Sequence, residues 1–321
     1  MISDETAKAV QKLLFKAGSV TIVTHINPDA DTIGTGLGVY TILKRILDVP
    51  VEIVNVSKDL PRYLDFLPSF TKIKKRIDFE TGLVITCDGG SLERFGVDLS
   101  DRKIINIDHH HSNDMFGAVN VVIAEYASAS QVAYRLFERF ATITPESALC
   151  FYTALLSDTL YFTTSSVNAE VFEVARELIS CGVDPSESAR NLTQRHSLAS
   201  LRILERALHS LSLYMEGRVA LMYISKSDRM ATGATMPDMD GVVDHARSLA
   251  VVQIAVLMIE LDDGGIKISF RGKECDVSQL AAVFGGGGHK EAAGVILKEA
   301  QTQEIIDTIL ENISILGLIH G

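Results

Sequence analysis

The sequence predicts an α/β protein of two domains, and three observations carry that reading. Short, nearly all-apolar runs alternate with longer helical patterns, which suits a parallel sheet covered on both faces. A long polar–apolar helical stretch, Ser186 to Leu213, then interrupts the alternation, and a second set of strands follows it. Hydrophobic residues make up 47% of the 321-residue chain, enough for a core in each domain.

In chain order, "MISDETAKAVQKLLFKAG" reads as an amphipathic helix with a Ser/Asp cap, and it lacks the cationic start and apolar block of a signal peptide. "SVTIVT" (Ser19 to Thr24), "VEIVNV" (Val51 to Val56), "LVITC" (Leu83 to Cys87) and "KIINI" (Lys103 to Ile107) read as buried strands. Helical patterns run from Gly34 to Leu47, Ser128 to Phe140, Pro145 to Leu156 and Ala169 to Cys181. "CGVDPSESAR" stops one helix and starts another. Beyond the connecting stretch, "RVALMYIS", "VQIAVLMIEL" and "GIKISFRG" are strands again, with helices near Gly241 to Ala250 and after Asp276. The expected division is a catalytic domain over 1–190, a helical linker over 191–215 and a smaller α/β domain over 216–321.

The formal charge is −11 and the pI about 5.3. Binding of long nucleic acid is mostly phosphate neutralisation, so a broad nucleic-acid track is not expected; a short anionic substrate in one local pocket is. No apolar run reaches the length of a membrane span. Cys87, Cys150, Cys181 and Cys275 are scattered and form no C-x-x-C pair, as free thiols do in a reducing cytoplasm. The composition leaves room for a homodimer.

Four polar clusters follow elements of the first domain. They are His25, Asp29 and Asp31 in "HINPDAD", Asp88 in "CDGG", Asp108, His109, His110 and His111 in "DHHHSN", and Asp158 in "LLSDT". Three lie just past a predicted strand, where open parallel sheets bind ligands; the fourth ends a helix that can fold back onto the same rim. Each alone could be a turn or a solvated cap. Together they crowd carboxylates that repel unless a cation neutralises them. Five Asp and at least two His are too many for one ion and suit two. Carboxylate with imidazole and no thiolate favours Mn²⁺, with Mg²⁺, Co²⁺ or Zn²⁺ also compatible. Two ions roughly 3.5–4 Å apart are the usual device for in-line attack on phosphorus.

The second domain carries "FGGGGHKEAAG", Phe284 to Gly294. Its glycines, among them Gly286, Gly287 and Gly288, bring backbone N–H groups close to an anion, with His289 next to them. Arg271, at the end of "SFRG", can bind phosphate bidentately. Tyr161, Phe162, Phe270 and Phe284 are candidates for stacking on a base, against the commoner role of filling a core.

"HINPDADTIG", "CDGG", "DHHHSN" and "LLSDT" resemble, in order, the four motifs of the DHH phosphoesterases, and "GGGGHKEAAG" resembles the signature of their DHHA1 substrate domain. The layout is similar to the branch of nanoRNases and pAp phosphatases. The resemblance implies an active site in a cleft between a DHH and a DHHA1 domain. It implies that His25 and Asp29 hold one metal, that Asp31, His109 and Asp158 hold the other, and that Asp88 bridges both. Asp108 would orient His109 and fix its tautomer. His110 would sit nearest the scissile phosphate as donor or leaving-group acid, and Asn27 would orient its loop. His111 receives no role. Arg271, His289 and the glycines would bind the substrate's other phosphate, with His245 and Arg247 of "DGVVDHARSL" as weaker candidates.

The implied reaction is hydrolysis of short oligoribonucleotides, with 3′-phosphoadenosine 5′-phosphate as a second substrate. The alternatives are a soluble cyclic di-AMP or pApA phosphodiesterase, an inorganic pyrophosphatase, and a nucleotide-binding protein without turnover. The glycine–His signature argues against the pyrophosphatase, and the complete set of matched ligand positions argues against the non-catalytic protein.

Overall fold

Ser3 starts the first helix: its hydroxyl accepts from the Thr6 N–H, and α1 (Asp4–Leu14) buries Ala7, Val10 and Leu14. The computed structural model describes residues 2–298 and 301–319, and the chain divides into two units, Met1–Arg195 and His196–Gly321.

In the first unit β1 (Val20–Thr24) leads into α2 (Ala30–Ile46), followed by β2 (Val51–Val54), β3 (Ile73–Lys74), β4 (Leu83–Cys87), β5 (Lys103–Asp108) and β6 (Val119–Val122). The strands lie in the order β3-β2-β1-β4-β5-β6 and all pair in parallel. Chain order therefore runs outward in opposite directions from the β1/β4 boundary, the switch point at which open α/β sheets leave a crevice. β1, β2 and β4 are buried along their whole length, as their apolar runs require. β3 and β6 are short, largely half-buried edge strands without a strong apolar run, and sequence periodicity does not mark them.

α3 (Ala129–Phe137), α4 (Pro145–Asp158), α5 (Ala169–Ser180) and α6 (Pro185–Thr193) follow. α2 begins four residues before the expected Gly34, because the Asp29 side chain accepts from the Thr32 N–H (3.1 Å) and caps it. A Cβ on Gly34 would stand 2.6 Å from the Cys150 carbonyl oxygen, and one on Gly38 would stand 2.4 Å from the Phe151 ring. The glycines thus let α2 and α4 run in opposite directions in close contact. The start of α2 lies beside the end of α4.

The second unit opens with α7 (Leu198–His209). The continuous helical stretch expected from Ser186 to Leu213 is therefore two helices. Asp184 and Pro185 start α6, and Ser197 starts α7 by accepting from the Ser200 N–H. The residues between are polar and exposed. α7 buries Ile203 and Ala207 in the second unit's own core.

The other elements are β7 (Ser212–Tyr214), β8 (Val219–Ile224), α8 (Lys226–Thr232), α9 (Val242–Arg247), β9 (Ile254–Glu260), β10 (Ile266–Gly272), α10 (Val277–Val283), β11 (Gly287–Gly288), β12 (Ala292–Leu297) and α11 (Thr302–Ile315). The sheet order is β11-β12-β10-β9-β8-β7, with only the β8–β9 pair parallel. Alternate residues of β8 feed two cores: Val219 and Leu221 pack with α10 and α11, and Ala220, Met222 and Ile224 pack with α7 and α9. Among the described residues no helix is long and apolar enough to cross a membrane.

Candidate active site

Strand register assembles the first-unit site. β1 and β4 pair Thr24 with Cys87, and β4 and β5 pair Cys87 with Ile107. The next residue on each strand is His25, Asp88 and Asp108, so all three stand in one row at the carboxyl edge of the sheet, at the switch point. Asp88 turns away in the left-handed region (φ 62°), with its N–H on the Ile107 carbonyl at 2.9 Å. The first turn of α2 adds Asp29 and Asp31, and the last residue of α4 adds Asp158.

The side chains fall into two sets that share Asp88. His25 Nε2 lies 3.4 Å from Asp88 Oδ2 and 3.7 Å from Asp29 Oδ2. His109 Nε2 lies 3.6 Å from Asp88 Oδ1, 3.6 Å from Asp158 Oδ2 and 3.8 Å from Asp31 Oδ2. His25, Asp29 and Asp88 converge closely enough to hold one ion, and Asp31, His109 and Asp158 converge closely enough for another. Asp31 is clamped in place: its carboxylate accepts from the backbone N–H groups of Ala129 (2.7 Å) and Ser130 (3.2 Å) at the start of α3, and from the Thr35 hydroxyl (3.1 Å).

Both ligand-set histidines are oriented from behind. His25 Nδ1 faces the Ile26 carbonyl at 2.9 Å and His109 Nδ1 faces the Tyr126 carbonyl at 3.2 Å. Donation from Nδ1 leaves Nε2 directed at the carboxylates, the arrangement that metal-binding imidazoles adopt. Thr32 ties the same corner together, its hydroxyl donating to the Cys87 carbonyl (2.9 Å) and accepting from the His25 N–H (3.2 Å).

The electrostatics of the site favour positive charge among its carboxylates. Burial disfavours charge on His25, but Asp29 and Asp88 outweigh it and raise its pKa to about 10. Burial likewise opposes charge on His109, and Asp88, Asp158 and Asp31 again win, holding it well above the usual imidazole value. Burial, together with neighbouring carboxylates, raises Asp31 well above the ordinary range and Asp158 to about 7, His109 pulling Asp158 back only in part. Burial also opposes ionisation of Asp88, but His109 and His25 keep it well below the usual carboxylate value. The carboxylates around both imidazoles thus favour their charged forms. Asp88 Oδ1 is buried and accepts no hydrogen bond among the described residues. An orphaned carboxylate oxygen between two imidazole–carboxylate sets fits a bridging ligand to two divalent ions.

One expected contact is corrected. Asp108 does not face His109, whose Nδ1 is on Tyr126; it faces His110, with His110 Nδ1 2.7 Å from Asp108 Oδ1. The backbone leaves β5 at Asp108, so His109 and His110 lie outside the strand, where His109 turns to the Tyr126 carbonyl and His110 comes back to the Asp108 carboxylate. Asn113 donates to the other oxygen, Asp108 Oδ2, at 2.5 Å, and takes a hydrogen bond from the buried Asn106 at 2.9 Å. Asn113 closes the "DHHHSN" motif, and that place is its signal in the sequence. Asn27 takes the left-handed conformation (φ 53°), with its N–H on the Ser57 hydroxyl at 2.9 Å. His111 is exposed.

In the second unit, Arg271 is the penultimate residue of β10, paired with Ala292 of β12 and Ala255 of β9. The turn carrying His289 closes with its N–H on the Ala292 carbonyl (2.7 Å), beside the same sheet end. The glycine run differs from the expected open loop. Gly287 and Gly288 form β11 against β12, and the Gly286 N–H is spent on the Ala281 carbonyl at 2.9 Å. A Cβ on Gly286 would meet the Gly294 carbonyl oxygen at 2.3 Å, so close strand approach accounts for that glycine, and Gly286 has no N–H to offer an anion. Gly287 remains exposed with open space around it. His245 is exposed on α9, and Arg247 ends that helix. Phe270 is fully buried and Phe284 stacks on it (6.4 Å between centroids), which places both in the core and removes Phe270 as a base platform. Phe162 packs on Tyr152 and Phe172, and Tyr161 is exposed.

Residues 19–155 match the model of the DHH family N-terminal domain, and residues 217–314 match that of the DHHA1 domain. The bifunctional oligoribonuclease and PAP phosphatase NrnA of Thermus thermophilus is 28% identical over 96% of this chain and 91% of its own length. Its namesake from Bacillus subtilis is 27% identical over 86% of this chain and 88% of its own. Among solved structures, an exopolyphosphatase-related protein from Bacteroides fragilis superimposes with a TM-score of 0.88 at 27% identity, covering 98% of both chains.

Proposed function

Because the chain belongs to the DHH family of metal-dependent phosphoesterases and carries a DHHA1 domain, we propose that it hydrolyses short oligoribonucleotides, with 3′-phosphoadenosine 5′-phosphate as a second substrate. The observation that carries this reading is the pair of ligand sets meeting at Asp88. His25 and Asp29 would hold one ion, Asp31, His109 and Asp158 would hold the other, and Asp88, which faces both sets, would serve both. Mn²⁺ suits this mixture best, ahead of Mg²⁺ and Co²⁺. Such a pair of ions supplies hydroxide near neutral pH and offsets charge on the phosphoryl oxygens.

The chain's own residues do the rest. Asp108 holds the Nδ1 edge of His110, so that the imidazole donates a proton to the departing oxygen. Asn113 keeps Asp108 in register for that task. Arg271 and His289 grip a second phosphate. Cutting is assigned to the first unit and substrate selection to the second, in a cytoplasmic enzyme.

The test is product analysis by chromatography of a diribonucleotide, 3′-phosphoadenosine 5′-phosphate and cyclic di-AMP, side by side with Mn²⁺. Turnover of the first two is expected to exceed that of the third by at least tenfold. Turnover of cyclic di-AMP alone would reject the proposal.

A further inference from the structure

Asp244 Oδ1 is buried and accepts no hydrogen bond among the described residues. Two guanidinium groups face this single oxygen: Arg247 Nε at 3.1 Å, from the same helix, and Arg271 Nε at 3.8 Å, from β10. Both arginines are largely covered, with side-chain exposures of 21% and 27%. Two covered cations side by side repel, and a carboxylate behind them offsets that repulsion. Its Oδ1 stands on the Nε side of each guanidinium. Arg271 Nη1 donates to its own residue's neighbour, the Phe270 carbonyl, at 3.1 Å. Among the described residues Arg247 donates no hydrogen bond, and Arg271 donates none beyond the one to Phe270.

An ordinary helix pair between Asp244 and Arg247 would account for one contact and not the other. Arg271 comes from a different element. It stands on a strand anchored by the fully buried Phe270 and flanked by Ala255 and Ala292, whose small side chains leave room for the long one. Guanidinium forks held from behind, with donors left in front, suit an oxyanion that can accept from two directions. A terminal phosphate presents three oxygens and a double charge. An internal diester presents two unesterified oxygens and a single charge.

We infer that Asp244 is the positioning residue of a two-arginine clamp, Arg247 and Arg271, that takes a terminal phosphate of the substrate. The inference rests on the reading of Arg271 as a substrate-binding residue.

The experiment is steady-state kinetics on a dinucleotide bearing a terminal phosphate and on the same dinucleotide without it. The enzymes are wild type, Asp244→Asn, Arg247→Ala, Arg271→Ala and the double variant Asp244→Asn/Arg271→Ala, all with Mn²⁺. The 5′- and 3′-phosphorylated forms are run as separate arms to say which end is held. Wild type should favour one phosphorylated form, and each single variant should reduce that preference about tenfold through KM. The double variant should lose less than the product of the two single losses, because Asp244 acts in part through Arg271 and only its action through Arg247 remains. If Arg271→Ala erases the preference while Asp244→Asn and Arg247→Ala keep it, the clamp is wrong and the reading of Arg271 stands. If Arg271→Ala leaves the preference intact, that reading itself fails. Equal losses on both substrates for Asp244→Asn, or losses that multiply in the double variant, would make Asp244 a structural residue and overturn the inference.

Discussion

His110 Nδ1 lies 2.7 Å from Asp108 Oδ1, while the imidazole one residue earlier, His109, turns its Nδ1 to the Tyr126 carbonyl. Two adjacent histidines are thereby given opposite attachments. His109 is held by backbone and directs Nε2 into the ligand set; His110 is held by a buried carboxylate that Asn113 holds in turn.

Asp108→Ala should therefore lower kcat without emptying the metal sites. General acid–base catalysis contributes about 10²–10⁴-fold, and losing the group that aims His110 should cost the lower part of that range, about 10²-fold. His110→Ala should cost at least as much. Metal content by elemental analysis, measured beside kcat, checks this. An Asp108→Ala protein short of one metal ion would return Asp108 to the support of His109.

Asp88→Ala removes the one carboxylate shared by both sets. Hydrolysis should fall to background, and the protein should retain fewer than two ions. A variant that binds two ions and turns over normally would show that the first-unit site has been wrongly assembled.

Much of this was legible in the residues. The apolar runs marked β1, β2, β4 and β5, and a polar cluster after a buried strand can only stand at its carboxyl edge. What the sequence hid were contacts that depend on register and on backbone. The Tyr126 carbonyl and the N–H groups of Ala129 and Ser130 carry no side-chain signature, yet they fix His109 and Asp31. The partner of Asp108 is hidden for the same reason: the resemblance pairs it with His109, and the backbone beyond β5 brings His110 to it instead. The glycine run was read as an open cradle because a glycine needed for close strand approach, such as Gly286, looks the same in sequence as one facing a ligand.

Gly34 shows how packing reaches the site. Alanine there would place Cβ 2.6 Å from the Cys150 carbonyl oxygen and 2.8 Å from Ala154 Cβ, so α2 and α4 must separate. Overpacking of this kind costs about 1–3 kcal/mol. Gly34→Ala should lower Tm, and it should lower kcat as well, because the same two helices carry Asp31 and Asp158. Gly18→Ala, with nothing within 4 Å of the added carbon, should stay within about 0.5 kcal/mol of wild type. Equal Tm values for the two variants would refute the close α2–α4 contact.

The last prediction joins metal to pH. His25 titrates at about 10 in the folded metal-free protein, against 6.5 for a free imidazole. Its contribution to stability is fully present below about pH 6.5 and is lost as pH rises through 10. Asp158, raised from 3.8 to about 7, acts with the same sign: it favours the fold at low pH and ceases to as pH rises through 7. Asp88 opposes them at the acid end, since its lowered pKa gives stability that is lost as pH falls. Above about pH 6 the first two govern, so the metal-free protein should weaken as pH rises. Ligation requires those same groups without their protons, so Mn²⁺ binding should release protons and tighten with pH. The increase in Tm on adding Mn²⁺ after chelation should therefore grow steadily from pH 6 to pH 8.5. Calorimetry in two buffers of different ionisation enthalpy should show at least one proton released per protein at pH 7. A metal-induced Tm shift that is flat or shrinks over that range, with no proton release, would mean that His25 and Asp158 are not ligands.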